Sequence, residues 1–254
     1  MNLIGLVVVR NHLSLDYCVK EAANSLIPHC SQVVVSDMES DDGSWEDLQD
    51  FGKTDSRLRI VRQPWGNPHN QPTWWVEALN YARTAFVDHT DWLIQLDADE
   101  ILADNAATAI RMTTESGFPG LFKRYNFWQD TKHLVPDNRC CGEMVARMGP
   151  AHLWLPSDEP HPLHEPHLRQ TAQFIGGLEI YHFGFLRKPE AFVKKSEVVQ
   201  NAFFGSCDSR ILAYKDKQTD WRTHDYFDGL ALRNHIGPMP RPARQWLIDR
   251  GYSI

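Results

Sequence analysis

Residues 91–100 have the sequence Asp91-Trp92-Leu93-Ile94-Gln95-Leu96-Asp97-Ala98-Asp99-Glu100. The run from Trp92 to Leu96 is almost entirely apolar, which is typical of a strand buried on both faces of a parallel sheet. Three carboxylates follow directly behind it. The stretch therefore predicts a buried strand at Asp91–Leu96 with a charged carboxyl end, the end at which open parallel sheets bind their ligands.

The residues before this stretch alternate between short aliphatic runs and longer segments with helical periodicity. Strands are predicted at Leu3–Val9, Gln32–Ser36 and Leu58–Val61, and helices at Asp16–Leu26, Trp45–Phe51 and Trp74–Val87. Ser44 is expected to cap the second of these helices. Such alternation predicts βαβ units and hence an α/β protein with a Rossmann-like, mostly parallel sheet flanked by helices.

After residue 100 the pattern is less regular. Strands are predicted at Leu121–Trp128, Glu143–Met148 and Glu179–Phe183, helices at Lys188–Ala202 and Ser206–Lys217, and a proline-rich loop at Pro150–Pro166. No repeat or linker separates the two parts. We expect a single domain over residues 1–254, with a ligand-binding half at 1–103 and an irregular half with C-terminal helices at 104–254.

Composition excludes several functional classes. The 26 Lys and Arg against 33 Asp and Glu give a formal charge of -7, which argues against broad binding of nucleic acid. The five cysteines show no C-x-x-C spacing, so neither a disulfide framework nor a thiolate zinc site is indicated. The apolar run Leu3–Val9 is too short to cross a bilayer and follows no basic segment. We expect a cytoplasmic protein without a transmembrane segment.

Polar residues follow three of the four predicted strands of the first half, at Arg10-Asn11-His12, Asp37-Met38-Glu39 and Asp97-Ala98-Asp99. In extended backbone, residues i and i+2 point to the same side, so Asp97 and Asp99 are expected to face one divalent cation. Two carboxylates leave most of the coordination shell free, which suits Mg²⁺ or Mn²⁺ shared with phosphate oxygens.

These three motifs, in this order and each at a strand end, resemble the nucleotide-sugar-binding half of family 2 glycosyltransferases, which have the GT-A fold. The resemblance implies a nucleoside-diphosphate sugar donor, most often UDP-linked, and a hydroxyl acceptor such as a glycan or a lipopolysaccharide-type saccharide. It implies donor contacts from the polar strand ends, Asp37 near the nucleobase, and Asp97 and Asp99 at the metal and diphosphate. The donor-binding set is Arg10, Asn11, Asp37, Glu39 and Asp97. Family members usually carry Glu where this chain has His12.

Two later segments resemble a bacterial branch of that family, which includes the sugar transferases of lipopolysaccharide core assembly. Leu163-His164-Glu165 resembles its hydrophobic-His-Glu motif, and Ile180-Tyr181-His182-Phe183-Gly184-Phe185 with Lys194 and Lys195 resembles its later His and Lys positions. Inverting transfer needs a base for the acceptor hydroxyl and positive charge at the departing diphosphate. We assign Glu165 as the base, with Asp158 or Glu159 as alternatives. We assign His182 as the third metal ligand, and we expect Lys194 or Lys195, which complete the donor-binding set, to face the diphosphate.

Several of these residues also fit plainer roles. His182 suits a core histidine, and Lys194 with Lys195 suits an exposed helix face. Nucleotidyl transfer is a second enzymatic hypothesis, although Val9-Arg10-Asn11-His12-Leu13-Ser14 lacks the glycines of a phosphate loop. A non-catalytic protein that binds sugar nucleotides or glycans, and a glycosyltransferase acting on modified DNA bases, complete the alternatives.

Overall fold

The structure is a computed structural model that describes residues 2–64, 91–128, 130–135, 144–150, 171–204 and 232–254. In these ranges the strands are β1 (Leu3–Val9), β2 (Gln32–Asp37), β3 (Leu58–Arg62), β4 (Trp92–Asp97), β5 (Glu100–Leu102), β6 (Gly120–Asn126), β7 (His133–Leu134), β8 (Met144–Pro150), β9 (Gln173–His182) and β10 (Arg233–Asn234). The helices are α1 (Val19–Leu26), α2 (Ser44–Gly52), α3 (Ala107–Ser116), α4 (Pro189–Phe204) and α5 (Arg241–Ile248).

Eight of these strands form one sheet in the order β3-β2-β1-β4-β8-β6-β9-β5, and β7 pairs with β10 separately. Four of the seven neighbouring pairs in the described sheet are parallel, including every pair among β1 to β4. The predicted α/β class with a mostly parallel sheet is therefore confirmed. Helix α1 packs on β1 and β5, α2 on β3, and α3 on β9.

The strand directions bring distant parts of the chain to one edge. Strand β8 runs antiparallel to both β4 and β6, so β4 and β6 run the same way. Strand β9 is parallel to β6, and β5 is antiparallel to β9. The carboxyl ends of β1, β2, β4, β6 and β9 and the start of β5 therefore share one edge of the sheet.

Differences from the predicted elements have local causes. Helix α1 begins at Val19 rather than Asp16, because Asp16 has a φ of 53° and lies outside the right-handed helical region. The N-cap of α2 is Gly43 with a φ of 90°, and Ser44 is the first helical residue. Strand β9 begins six residues before the predicted Glu179, across a glycine pair whose Gly177 has a φ of 93°.

Several predicted features lie outside the described residues: the helices Trp74–Val87 and Ser206–Lys217, nearly all of the Pro150–Pro166 loop, and the candidate bases Glu165, Asp158 and Glu159. Cys18 and Cys30 are buried free thiols. No helix in the described ranges has the length and apolar character needed to cross a membrane.

Candidate functional site

The loops after β1 and β2 are held to each other by a paired side chain and backbone. Asn11 donates from Nδ2 to Oδ1 of Asp41 at 2.9 Å, and Asp41 N–H returns a hydrogen bond to Oδ1 of Asn11 at 3.0 Å. Arg10 adds an ion pair to Asp41 at 3.2 Å. The exposed Glu39 has a φ of 51°, a backbone state that costs energy for such a residue, while Asn11 has a φ of 55°, which asparagine adopts more readily. The two predicted donor loops therefore adopt one fixed arrangement, with backbone strain at Glu39.

Asp37, the last residue of β2, is fully buried and supports its own loop. Its carboxylate accepts hydrogen bonds from the backbone N–H of Ser40 at 3.0 Å and from the Ser40 hydroxyl. Arg62, at the end of β3, lies 3.7 Å away and stacks over the Trp45 ring at 5.3 Å. Asp37 thus fixes the turn that carries Glu39. The role predicted for Asp37 near a nucleobase stays a prediction.

His12, which stands where the resembling family has Glu, is buried against α2. Its Nε2 lies 2.9 Å from Oδ2 of Asp47, in ion-pair range but without hydrogen-bond alignment, and Asp47 also pairs with Lys20 at 2.7 Å. Burial lowers the pKa of His12, although Asp47 works in the opposite direction. The ring is therefore neutral at physiological pH and occupies the space between the first loop and α2.

At the end of β4, two carboxylates share two buried guanidinium groups. Arg147 Nη2, from β8, lies 2.7 Å from Asp97 and 2.6 Å from Glu100, while Arg124 Nε, from β6, lies 2.8 Å from Glu100. Burial works to raise the pKa of Asp97, but Arg147 and Arg124 outweigh it and lower that pKa. Burial dominates at Glu100 and raises its pKa. Glu100 also accepts the Asp97 backbone N–H at 3.0 Å, so it fixes the position of the Asp97 backbone.

Asp99 is held by a second set of cations from the far end of the chain. Its Oδ2 accepts hydrogen bonds from Arg187, just after β9, and from Lys195 Nζ on α4 at 2.7 Å. Both cations lie over the Tyr17 ring, Arg187 Cζ at 4.0 Å and Lys195 Nζ at 5.1 Å. Burial works to raise the pKa of Asp99, but the positive charges, Lys195 first among them, hold it well below its usual range.

His182, the last residue of β9, lies beside Asp99 with Nε2 3.5 Å from Oδ1. Burial lowers the pKa of His182 to about 4, so its ring is neutral at physiological pH. A Cβ on Gly184 would lie only 2.5 Å from Nε2 of His182 and 3.2 Å from Oδ2 of Asp99. The imidazole therefore occupies the space that a Cβ of residue 184 would need, and glycine at this position allows His182 to lie there.

The Asp-x-Asp segment is not extended as its alternation predicted. Asp97 ends β4, Ala98 and Asp99 form a turn, and Glu100 starts β5. The two aspartates therefore contact different cations, Arg147 and Arg187 respectively. This turn brings Glu100 back towards the backbone of Asp97, a tertiary arrangement that strand alternation alone does not contain.

As arranged here, these residues do not fit a divalent cation. The carboxylates of Asp97 and Asp99 are already contacted by arginine and lysine, and the described residues contain no group of three or more His, Cys, Asp or Glu side chains placed to hold a metal ion. Mn²⁺ or Mg²⁺ held by Asp97, Asp99 and His182 thus stays a prediction. The cations that contact these carboxylates are arginine and lysine side chains of the chain itself.

The structure separates the two predicted lysines. Lys195 reaches Asp99 and keeps 22% of its side chain exposed, whereas the neighbouring Lys194 points from α4 into solvent. Sequence reasoning missed Arg124, Arg147 and Arg187. An arginine inside an apolar strand, as in Val145-Ala146-Arg147-Met148, is the signal that would have found the first two.

Solved structures of other proteins are similar to this chain. A mannosyltransferase from Pyrobaculum calidifontis, in complex with GDP-Man and Mn²⁺, matches with a TM-score of 0.50 at 13% identity, over 97% of this chain and 68% of that chain. TarS 1-349 from S. aureus, in complex with UDP, matches with a TM-score of 0.47 at 11% identity, over 84% of this chain and 70% of that chain. A 4-diphosphocytidyl-2C-methyl-D-erythritol synthase matches with a TM-score of 0.45 at 12% identity, over 69% of this chain and 88% of that chain.

At such low identity the mannosyltransferase shows the fold alone, and this chain has a GT-A-like fold. No protein-family model matches the sequence, and no curated protein matches it.

Proposed function

We propose that this chain is an inverting glycosyltransferase of family 2. It transfers a sugar from a nucleoside-diphosphate sugar, with a UDP-linked sugar as the first candidate donor, to a hydroxyl of a glycan or lipopolysaccharide-type saccharide. One observation carries the proposal. At the carboxyl edge of a GT-A-like sheet, three carboxylates are surrounded by four cationic side chains: Arg124, Arg147, Arg187 and Lys195. The surplus positive charge suits a diphosphate.

The accessible members of this cluster indicate where a donor would bind. Arg147, Arg187 and Glu100 are buried, while Asp97 and Lys195 keep 21% and 22% of their side chains exposed. Lys195 is then the cation that meets the diphosphate, and the buried Arg187 fixes Asp99, the carboxylate that holds Lys195 in place. Arg10, Asn11 and Glu39 line the loops on the nucleotide side of the same edge.

The chemistry assigned to these residues is a single displacement. A base, proposed as Glu165 with Asp158 or Glu159 as alternatives, takes the proton from the acceptor hydroxyl. The hydroxyl oxygen bonds to the anomeric carbon from the side opposite the diphosphate, and the bond from that carbon to the diphosphate oxygen breaks. Negative charge then grows on the leaving oxygen, where Lys195 lowers the energy of the transition state.

A binding screen tests the proposal. UDP, GDP, UDP-glucose, UDP-N-acetylglucosamine and GDP-mannose are added with and without Mn²⁺, and the melting temperature of the chain and the release of free nucleoside diphosphate are measured. We expect at least one nucleotide sugar to raise the melting temperature and to be hydrolysed slowly in the absence of an acceptor. If no nucleotide binds, the proposal is wrong. Release that is unchanged in Glu165→Gln would move the base to another carboxylate.

A further inference from the structure

Two buried side chains at the carboxyl edge each have a polar atom without a hydrogen-bond partner. They are Asn126, the last residue of β6, and His182, the last residue of β9, and they are 7% and 9% exposed. The unpartnered atoms are Oδ1 of Asn126 and Nδ1 of His182. Buried polar atoms are nearly always paired, so two such atoms at one place indicate a missing partner.

The two atoms belong to the same face of the sheet. Asn126 and His182 are register partners on the parallel strands β6 and β9, and directly opposed residues of neighbouring strands point to the same side. Arg124, two residues earlier on β6, shares that face and contacts Glu100. The other ring nitrogen of His182 faces Asp99 at 3.5 Å. The unpartnered pair therefore lies beside the carboxylates of the candidate site.

The chemistry of the pair restricts what can bind there. Because Nε2 of His182 faces a carboxylate, that nitrogen carries the hydrogen and Nδ1 is left as an acceptor. Oδ1 of Asn126 is also an acceptor. Two acceptors require a ligand that brings donors, which excludes phosphate and carboxylate groups and favours hydroxyls.

An apolar surface formed by two aromatic rings lies next to His182. The half-buried Phe185 meets the His182 ring edge-on with the ring centroids 5.8 Å apart, and Trp128 packs against Phe185 at 5.2 Å. A small-molecule site of this kind combines an apolar surface with a few placed polar atoms. A sugar ring has both matching features, a carbon face and outward hydroxyls.

We propose that Asn126 and His182 accept hydrogen bonds from hydroxyl groups of a sugar ring whose carbon face rests against Phe185. The inference rests on the proposed function, since it names the part of that site which holds a saccharide. Both the donor sugar and the acceptor saccharide have this chemistry.

Saturation-transfer NMR on the whole chain tests the subsite. The probes are the methyl glycosides of glucose, galactose and mannose, and the variants are Asn126→Ala, Asn126→Asp and, as a control at an exposed asparagine, Asn234→Ala. We expect saturation transfer from at least one glycoside to the wild-type chain, at least about fivefold weaker transfer to Asn126→Ala, and none of this loss in Asn234→Ala. Asn126→Asp keeps an acceptor oxygen in place and should retain the signal. Absence of transfer to the wild-type chain, or equal transfer to a folded Asn126→Ala, overturns the proposal.

Adding UDP-glucose or GDP-mannose distinguishes the two sources of the ring. If the subsite holds the donor sugar, the nucleotide sugar displaces the glycoside from the wild-type chain. Saturation transfer to the hexose of the nucleotide sugar is then lost in Asn126→Ala, while UDP or GDP alone binds that variant normally. For an acceptor subsite, the glycoside signal persists with the nucleotide sugar bound and still depends on Asn126. If neither UDP nor GDP binds but the glycoside signal depends on Asn126, the proposed function fails and the subsite stands. If UDP or GDP binds but the glycoside signal is the same in the wild-type chain and in Asn126→Ala, the proposed subsite is wrong and the proposed function stands.

Discussion

Lys195 and Asp99 lie 96 residues apart in sequence, and Nζ of the lysine is 2.7 Å from Oδ2 of the aspartate. The contact joins α4 to the turn after β4, and the buried Arg187 contacts the same oxygen. Of the two cations, Lys195 is the one that solvent reaches. This pair therefore links the acidic motif of the first half to α4 in the second half.

Replacing Lys195 with methionine should weaken nucleotide binding. Loss of one charge-assisted hydrogen bond to a phosphate is worth about 1.5–3 kcal/mol, so we expect the Kd for UDP or GDP, measured by titration calorimetry, to rise about 10- to 100-fold. Lys194→Met is the matched control, because Lys194 is exposed on the same helix and should leave the Kd unchanged. Equal effects of both substitutions would show that the overall charge of α4 matters rather than this contact.

Gly184→Ala should destabilise the folded state by displacing His182. A methyl group at this position would lie 2.5 Å from Nε2 of the imidazole, and such overpacking typically costs about 1–3 kcal/mol in the free energy of unfolding. Gly176→Ala is the control, since no atom lies within 4 Å of its added Cβ and its φ is not positive. Urea unfolding of the two variants measures the difference. Similar free energies of unfolding would mean that the imidazole moves aside freely.

Asp16→Asn should remove an acid-sensitive part of the stability. Burial works to raise the pKa of Asp16, but hydrogen bonds from Arg250 and from the Lys188 N–H outweigh it and hold the pKa below the ordinary 3.8. The stabilisation is therefore complete above pH about 4 and is lost as the pH falls further, through the folded-state pKa. We expect a loss of about 2–4 kcal/mol in the free energy of unfolding at pH 7. Asparagine tolerates the positive φ of this residue, which isolates the effect of charge.

Guanidinium unfolding of Asp16→Asn between pH 3 and pH 7 should show its deficit shrinking towards the acid end. Asp50→Asn, at an exposed ion pair with Lys53, serves as the comparison and should follow the wild-type curve. A deficit in Asp16→Asn that stays constant over the whole range would mean that the carboxylate charge is not what stabilises this contact.

Mn²⁺ alone should leave the melting temperature of the nucleotide-free chain unchanged. Asp97 and Asp99 are already neutralised by arginine and lysine, so an added cation has to displace a side chain before it binds. Differential scanning fluorimetry with millimolar MnCl₂ measures this. A rise in melting temperature that disappears in Asp99→Asn would show that the metal competes successfully with Lys195.

The sequence predicted the first four strands well, because each is a short aliphatic run ended by polar residues. For β1 the predicted and observed bounds agree, and for β4 the predicted Asp91–Leu96 differs from the observed strand by one residue at each end. Local pattern failed where tertiary contacts decide the conformation. Ala98 and Asp99 turn because Glu100 reaches back to the Asp97 backbone, and this contact depends on arginines from β6 and β8.

Prediction of the site residues was limited in the same way, to residues that a local sequence pattern marks. The motif residues at the strand ends could be proposed as site residues because ligand sites of parallel sheets lie there. Arg187 was missed because its partners, Asp99 and the Leu15 carbonyl, precede it by 88 and 172 residues. No periodicity within a short window connects positions so far apart.

The bond between Arg250 and Asp16 spans 234 residues. Asp16 in turn accepts the N–H of Lys188, next to the Arg187 that holds Asp99. During synthesis on the ribosome, the contacts of the loop after β1 are therefore completed only when nearly all of the remaining described chain has been made. Early strands can pair while they emerge, but the loop that follows the first of them gains its last contact only after α5 has been made.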